Sequence, residues 1–242
     1  MSTRRLGALA ALSAAATLVA ALLTGSPASA ATVTYGQDVS GYQGNVNWQA
    51  QWNAGSRFAY IKATEGTYYT NPYFAQQYNG SYNIGMLRGS YHFAIPNGGG
   101  GAAQADYFVA HGGGWSKDGK TLPGALDIEY NPYGATCYGL SQSAMVSWIR
   151  AFLNQYHTRT TRWAVIYTTT DWWVTCTGNY SGFWANSPLW IARYSSAPGT
   201  LPAGAPTWSF WQYSSTGPFA GDSNQWNGAL DRLKVMACNG PC

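Results

Sequence analysis

Two acidic residues stand two positions apart in Gly124-Ala125-Leu126-Asp127-Ile128-Glu129-Tyr130, an otherwise apolar stretch. Such a stretch reads as a strand, and a strand presents residues i and i+2 on one face. Asp127 and Glu129 are then expected side by side, roughly 7 Å apart at Cα. Carboxylates that close repel, so one of them keeps its proton to a higher pH than a free acid does. A protonated acid beside an anion is the pairing that glycoside hydrolysis requires. The acid serves the leaving oxygen and the anion serves the cationic centre. No Lys or Arg lies in the stretch to turn the pair into ordinary ion pairs.

The chain holds only nine acidic residues, so the place of each is informative. Asp38, in Tyr35-Gly36-Gln37-Asp38-Val39-Ser40-Gly41, falls near the end of a first strand. Glu65 follows Ile61-Lys62-Ala63-Thr64 at the end of the next. Reactive groups of parallel barrels sit at those strand ends. Taken alone, Asp38 reads equally as a turn former or cap, and Glu65 as a capping or ion-paired residue. Asp106, Asp118 and Asp171 read as solvated helix or loop positions.

Short apolar runs supply the elements that must hold these groups. Phe58–Lys62, Arg88–Ala94, Gly124–Tyr130, Trp163–Thr168, Leu189–Tyr194 and Thr207–Tyr213 read as buried strands, joined by Tyr35–Val39 and Asp222–Trp226. Helical patterns cover Pro72–Ile84, Ala102–His111 and Ser141–Tyr156. Ser141 opens the last as an N-cap, and Met145, Trp148, Ile149 and Phe152 form its apolar stripe. After Trp163 the helices thin out. This alternation predicts an α/β parallel barrel without a full outer ring of helices, and the helix at 141–156 argues against an all-β sandwich. Tyr91, Tyr130, Tyr167, Trp211 and Gln212 fall at or near strand ends, where they are expected to line a cleft.

The remaining features bound the class. Residues 1–30 carry Arg4-Arg5, an Ala/Leu-rich stretch and Pro27-Ala28-Ser29-Ala30, the pattern of a secretory signal cut after Ala30. The stretch falls short of the ~20 strongly apolar residues a membrane span needs. Residues 31–242 then form one catalytic domain, expected to be extracellular and monomeric. That domain has eleven basic and nine acidic residues, with the bases scattered, which does not suit nucleic acid. Gly98–Gly101 and Gly112–Gly114 lack the Gly-Lys-Ser/Thr of a phosphate loop. His92, His111 and His157 show no metal-ligand spacing with the cysteines, so neither metal nor cofactor is expected. An even four cysteines, Cys137, Cys176, Cys238 and Cys242, suggest disulfides in an exported chain. Three pairings are open. The local, terminal position of the last two favours Cys238–Cys242 with Cys137–Cys176. Twelve Trp and eighteen Tyr, against 9% charged residues, suit a sugar site as well as a packed core.

Five segments in order resemble one family. They are Asp38-Val39-Ser40-Gly41-Tyr42-Gln43-Gly44, Tyr60-Ile61-Lys62-Ala63-Thr64-Glu65-Gly66, Arg88-Gly89-Ser90-Tyr91-His92-Phe93-Ala94, Leu126-Asp127-Ile128-Glu129 and Phe210-Trp211-Gln212-Tyr213. The chain resembles the Chalaropsis-type lysozymes of glycoside hydrolase family 25. The resemblance implies a modified TIM-like barrel of five β/α units followed by three strands. It implies hydrolysis of the β-1,4 bond between N-acetylmuramic acid and N-acetylglucosamine in peptidoglycan. By position, Glu129 matches the family's general acid, Asp127 its partner and Asp38 its first-strand Asp. Cys137 and Cys176 match a disulfide of relatives. The fourth acid falls on Asp222, in an Asp-x-Asn pattern before an aromatic, with Asp231 as the fallback. Strand spacing leaves direct carboxylate attack, inversion and attack by the substrate's own 2-acetamido oxygen all open. The competing classes are a hydrolase of chitin and a non-catalytic wall-binding protein, and the latter predicts loss of Asp127 or Glu129.

Overall fold

Large aromatic residues on alternate positions of the strands point to one side of the sheet, and curling around them closes it into a barrel. The computed structural model describes Met1 and residues 32–242. Apart from Met1, the expected signal segment 1–30 lies outside the described residues.

The strands are β1 (Thr34–Val39), β2 (Phe58–Glu65), β3 (Tyr69–Thr70), β4 (Leu87–Phe93), β5 (Ala125–Asp127), β6 (Val165–Thr168), β7 (Leu189–Ala192), β8 (Phe210–Ser214) and β9 (Asp222–Trp226). The helices are α1 (Trp48–Asn53), α2 (Phe74–Asn83), α3 (Gly101–Phe108), α4 (Gln142–Thr160), α5 (Thr170–Thr177) and α6 (Leu230–Cys238). Pairing runs parallel from β1 through β2, β4, β5, β6 and β7 to β8. Strand β9 then lies antiparallel between β8 and β1 and closes the ring. The short β3 folds back on the end of β2. Five strand–helix units followed by three strands is the architecture the family resemblance implies.

The lumen is a dry aromatic stack. Tyr60 and Tyr167 each lie 4.9 Å from Trp190, centroid to centroid, and Phe58 lies 5.4 Å from Phe210. Gly36 on β1 and Gly89 on β4 leave room for this stack, because a Cβ on either would collide with the ring of Phe58 or Tyr60. A second core lies outside the barrel, where Phe108 of α3 meets Phe152 and Tyr156 of α4. Gly101 lets the two helices touch, since a Cβ there would strike the Trp148 carbonyl. Trp172, Trp173 and Trp190 are fully buried, so part of the aromatic surplus is core material.

One reading of the sequence needs correction. The strand expected over Gly124–Tyr130 pairs only from Ala125 to Asp127. The register with β4 ends at Phe93 and Asp127, yet bonds to both neighbours continue, with Ala94 N–H donating to the Asp127 carbonyl at 2.9 Å and Ile128 N–H to the Tyr167 carbonyl at 3.0 Å. After Trp163 the helices thin out as expected, with α5 the one described helix between β6 and β9. Thr169 caps α5 by accepting from the Trp172 amide, and Cys176 ties the same helix to Cys137. Trp172, Trp173, Cys176 and Thr177 form its buried face, and Asp171, Val174 and Thr175 its exposed one.

Disulfides join Cys137 to Cys176 and Cys238 to Cys242. The first pins the loop after β5 to α5 across a sequence separation of 39. Closing a loop of that length stabilises by about 4 kcal/mol in the chain-entropy account. Replacing Cys137 and Cys176 together with Ser should lower the unfolding free energy by about 2–4 kcal/mol in urea titration. An unchanged midpoint would show that the loop is held by its other contacts.

Candidate active site

One rim of the barrel collects the chemistry. Asp38 lies near the end of β1, Lys62 on β2, Tyr91 and Phe93 on β4, Asp127 at the end of β5, Tyr167 on β6, Trp190 on β7 and Gln212 on β8. Strand β9 runs the opposite way, so its first residue, Asp222, reaches this rim and pairs in register with Asp38. Glu129 follows β5 by two residues. These groups line a single cleft of about 260 Å³. Between Asp127 and Glu129, Ile128 turns outward into the helical core, so the alternation expected of a strand survives past the end of the ladder.

The four acids divide by their partners. Asp38 Oδ2 accepts from Asn224 Nδ2 at 2.7 Å and from Gln212 Nε2 at 2.9 Å. Gln212 Nε2 also donates to Asp222 Oδ2 at 3.1 Å. The Gln212 Oε1 accepts from the hydroxyls of Tyr167, at 2.8 Å, and Tyr194, at 3.0 Å. Trp190 Nε1 donates to Asn224 Oδ1 at 2.8 Å, which orients that amide. Asp127 and Glu129, by contrast, take no side-chain hydrogen bond from any described residue, and Asp127 Oδ1 is buried without a partner.

Crowding and burial push these acids up together. Burial, then the charge of Asp222, raises Glu129 to about 7. Burial, then the charge of Asp222, raises Asp38 to about 7 against the opposing hydrogen bonds from Asn224 and Gln212. Burial and then Glu129 lift Asp127 well above the usual carboxylate range, and burial lifts Asp222. The sole cation among the lining residues, Lys62, is already paired with Glu65 at 2.6 Å.

The expected cleft residues are mostly gathered here. Tyr91, Tyr167 and Gln212 line the cleft, and Tyr130 lines an adjoining hollow with Glu129 and Tyr167. Tyr130 is tied down by its hydroxyl, which donates to Asp171 Oδ2 at 2.8 Å. Trp211 is a correction. Next to inward-facing Gln212 it must face outward, and it packs in the outer core with Nε1 donating to the Arg193 carbonyl. Asp231 is exposed on α6 and is not part of the cleft. Sequence reasoning missed Lys62, Trp190 and Asn224. The alternation of β2, β7 and β9 was the available signal, since each lies an even number of residues from another inward-facing position. His92, in the family-like segment on β4, is buried between Thr64 and Gln104 and held neutral, down to about 4, chiefly by burial. It is part of the wall rather than the cleft.

A barrel rim of clustered, partly protonated carboxylates is equipped for glycoside hydrolysis, and the comparisons with known proteins place the chain in that class. The model of glycosyl hydrolases family 25 matches residues 37–222. Lysozyme M1 of Streptomyces globisporus is 54% identical over 209 residues, covering 84% of this chain and 71% of the relative. The N,O-diacetylmuramidase of Chalaropsis sp is 51% identical, covering 84% of this chain and 98% of the relative. The solved muramidase from Acremonium alcalophilum superposes with a TM-score of 0.84 at 57% identity, over 85% of this chain and 99% of that one. The chain belongs to glycoside hydrolase family 25.

Burial of Asp38 has a consequence for stability. Its raised pKa means the folded protein holds a proton that the unfolded chain releases above about 4. The resulting destabilisation grows as pH rises from about 4 to about 7 and is constant above that. Asp38→Asn should therefore raise the melting temperature at pH 8 and lose that advantage by pH 4, as read by calorimetry. An equal shift at both pH values would assign the effect to packing.

Proposed function

We propose that this chain is a secreted lysozyme that cuts the β-1,4 bond between N-acetylmuramic acid and N-acetylglucosamine in peptidoglycan. In this reading residues 1–30 are the export signal and residues 31–242 the catalytic domain, acting outside the cell as a monomer. No helix of the described residues is long and apolar enough to cross a membrane. The observation that carries the reading is the division of the acids. Asp127 and Glu129 stand in the cleft with no protein donor, free for substrate, while Asp38 and Asp222 are tied to Gln212. The relatives named lysozyme and N,O-diacetylmuramidase support the choice of polymer.

Glu129 is the general acid. Burial keeps it protonated near neutrality, and it delivers that proton to the glycosidic oxygen as the bond breaks. Asp127 is its partner. It receives the N–H of the 2-acetamido group, whose carbonyl oxygen attacks the anomeric carbon; such substrate assistance is open to acetamido sugars. Water then opens the resulting ring, with Glu129 taking the proton back. Asp38 and Asp222 hold the electrostatic background, and Gln212, with all its hydrogen bonds made inside the protein, fixes the two of them. Tyr91 and Tyr167 shape the floor and Tyr130 the rim.

Digestion of purified peptidoglycan by the wild type should release new reducing ends on N-acetylmuramic acid. Glu129→Gln should lower that rate by at least about 100-fold, the scale of a lost general acid. Intact glycan from the wild type, with chitin cleaved instead, would move the assignment to chitin hydrolysis. The rate should also fall as pH rises through about 7, because Glu129 then loses the proton it donates. A rate that holds to pH 9 would remove Glu129 from that role.

A further inference from the structure

Beside the catalytic cleft lies a second hollow of about 350 Å³, lined by Ser40, Gly41, Tyr42, Lys62, Glu65, Tyr68, Tyr69, Pro72 and Tyr133. Ser40, Tyr42 and Lys62 belong to both, so the two run together as one groove. Its walls are exposed rings: Tyr42 is 97%, Tyr68 62% and Tyr133 69% accessible.

Two of these rings are anchored from beneath. Glu65 is only 7% exposed, and its Oε1 accepts from the hydroxyls of Tyr68 and Tyr133, both at 2.6 Å. Its other oxygen takes the Lys62 ammonium at 2.6 Å. Hydrogen bonds to an ionised acceptor are strong, so both rings are tethered at their tips while their faces stay in water. Gly66 makes room for the Tyr68 ring. Gly66 has φ +51, and a Cβ there would lie 2.6 Å from the Tyr68 ring. Tyr133 starts from a loop shaped by Asn131, whose Oδ1 accepts the Tyr133 amide at 2.9 Å. A tyrosine of the β2–β3 turn, 3 positions from Glu65, and one from the loop after β5, 68 positions from it, thus converge on one carboxylate.

Exposed aromatic rings ordinarily lose rotamer freedom when they bind. Tyr68 and Tyr133 have already lost it. With Lys62 and Glu65 neutralising each other, the groove offers flat aromatic faces and no free charge. That suits the C–H face of a pyranose ring rather than a charged peptide. We propose that the groove walled by Tyr42, Tyr68 and Tyr133 is a distal sugar subsite that stacks a ring of the glycan strand beyond the bond being cut, with Glu65 as the positioning residue for the two anchored tyrosines. The proposal rests on the lysozyme reading above, and adds that the enzyme favours long strands.

The test compares peptide-free tetrasaccharide and octasaccharide of alternating N-acetylglucosamine and N-acetylmuramic acid. The wild type should show a higher kcat/KM on the octasaccharide. The double variant Tyr68→Ala/Tyr133→Ala should lower the octasaccharide-to-tetrasaccharide ratio about tenfold, the scale of lost aromatic stacking. Tyr68→Phe/Tyr133→Phe keeps the rings but cuts the tethers, so its ratio should fall between the two, through KM rather than kcat. Matched thermal unfolding of each variant shows that the fold is intact. A ratio unchanged in the double variant, or rates that fall equally on both substrates, overturns the subsite. So does a length preference that appears only on strands bearing stem peptides, which would mark a peptide site. A wild type that cuts neither oligosaccharide nor peptidoglycan sinks the lysozyme reading and the subsite with it, whereas a flat ratio in an active wild type sinks the subsite alone.

Discussion

Four carboxylates share one rim, and the one cation among the residues lining their cleft is engaged elsewhere. Like charges in a low-dielectric site cannot all be ionised near neutrality, so the cluster must retain protons. That constraint leaves Glu129 holding a proton near neutrality, where a carboxyl in water would be ionised. It also dictates the surroundings. Asp38 and Asp222 must be held by donors that are neutral, because a cation there would ionise the cluster and abolish the acid. Gln212, Asn224 and Trp190 meet that need with amides and an indole N–H.

The barrel supplies the rest through its last strand. A full ring of parallel strands would put the first residue of β9 at the opposite end of the lumen. Running β9 antiparallel brings Asp222 beside Asp38 and places Asn224 one inward step below. The dry aromatic stack beneath closes the cleft floor and removes water from under the acids. Burial, the first cause of every raised carboxyl at the rim, is therefore a product of the lumen packing as much as of the acids themselves.

Aromatic residues serve at least three purposes in this chain, and composition does not separate them. Trp172 and Trp173 fill the space under the helices, Trp190 fills the lumen and steers Asn224, and Tyr68 and Tyr133 stand on the surface tethered to Glu65. Trp211 shows the same point from the other side. Its place at a strand end beside Gln212 suggested a cleft residue, but one step along a strand reverses the face.

Local sequence determined the strands, the α4 stripe with its Ser141 cap, and the shared face of Asp127 and Glu129, because period and side-chain direction are properties of a few neighbouring residues. The five family-like segments carried the architecture. Tertiary structure alone decided what those acids meet. Gln212 and Asp38 are 174 positions apart, and Tyr133 and Glu65 are 68 apart. No local pattern encodes such meetings; they exist only once β9 closes the ring and the loop after β5 folds over β2. The same closure sets the burial that lifts Asp127 and Glu129 above the usual carboxylate range.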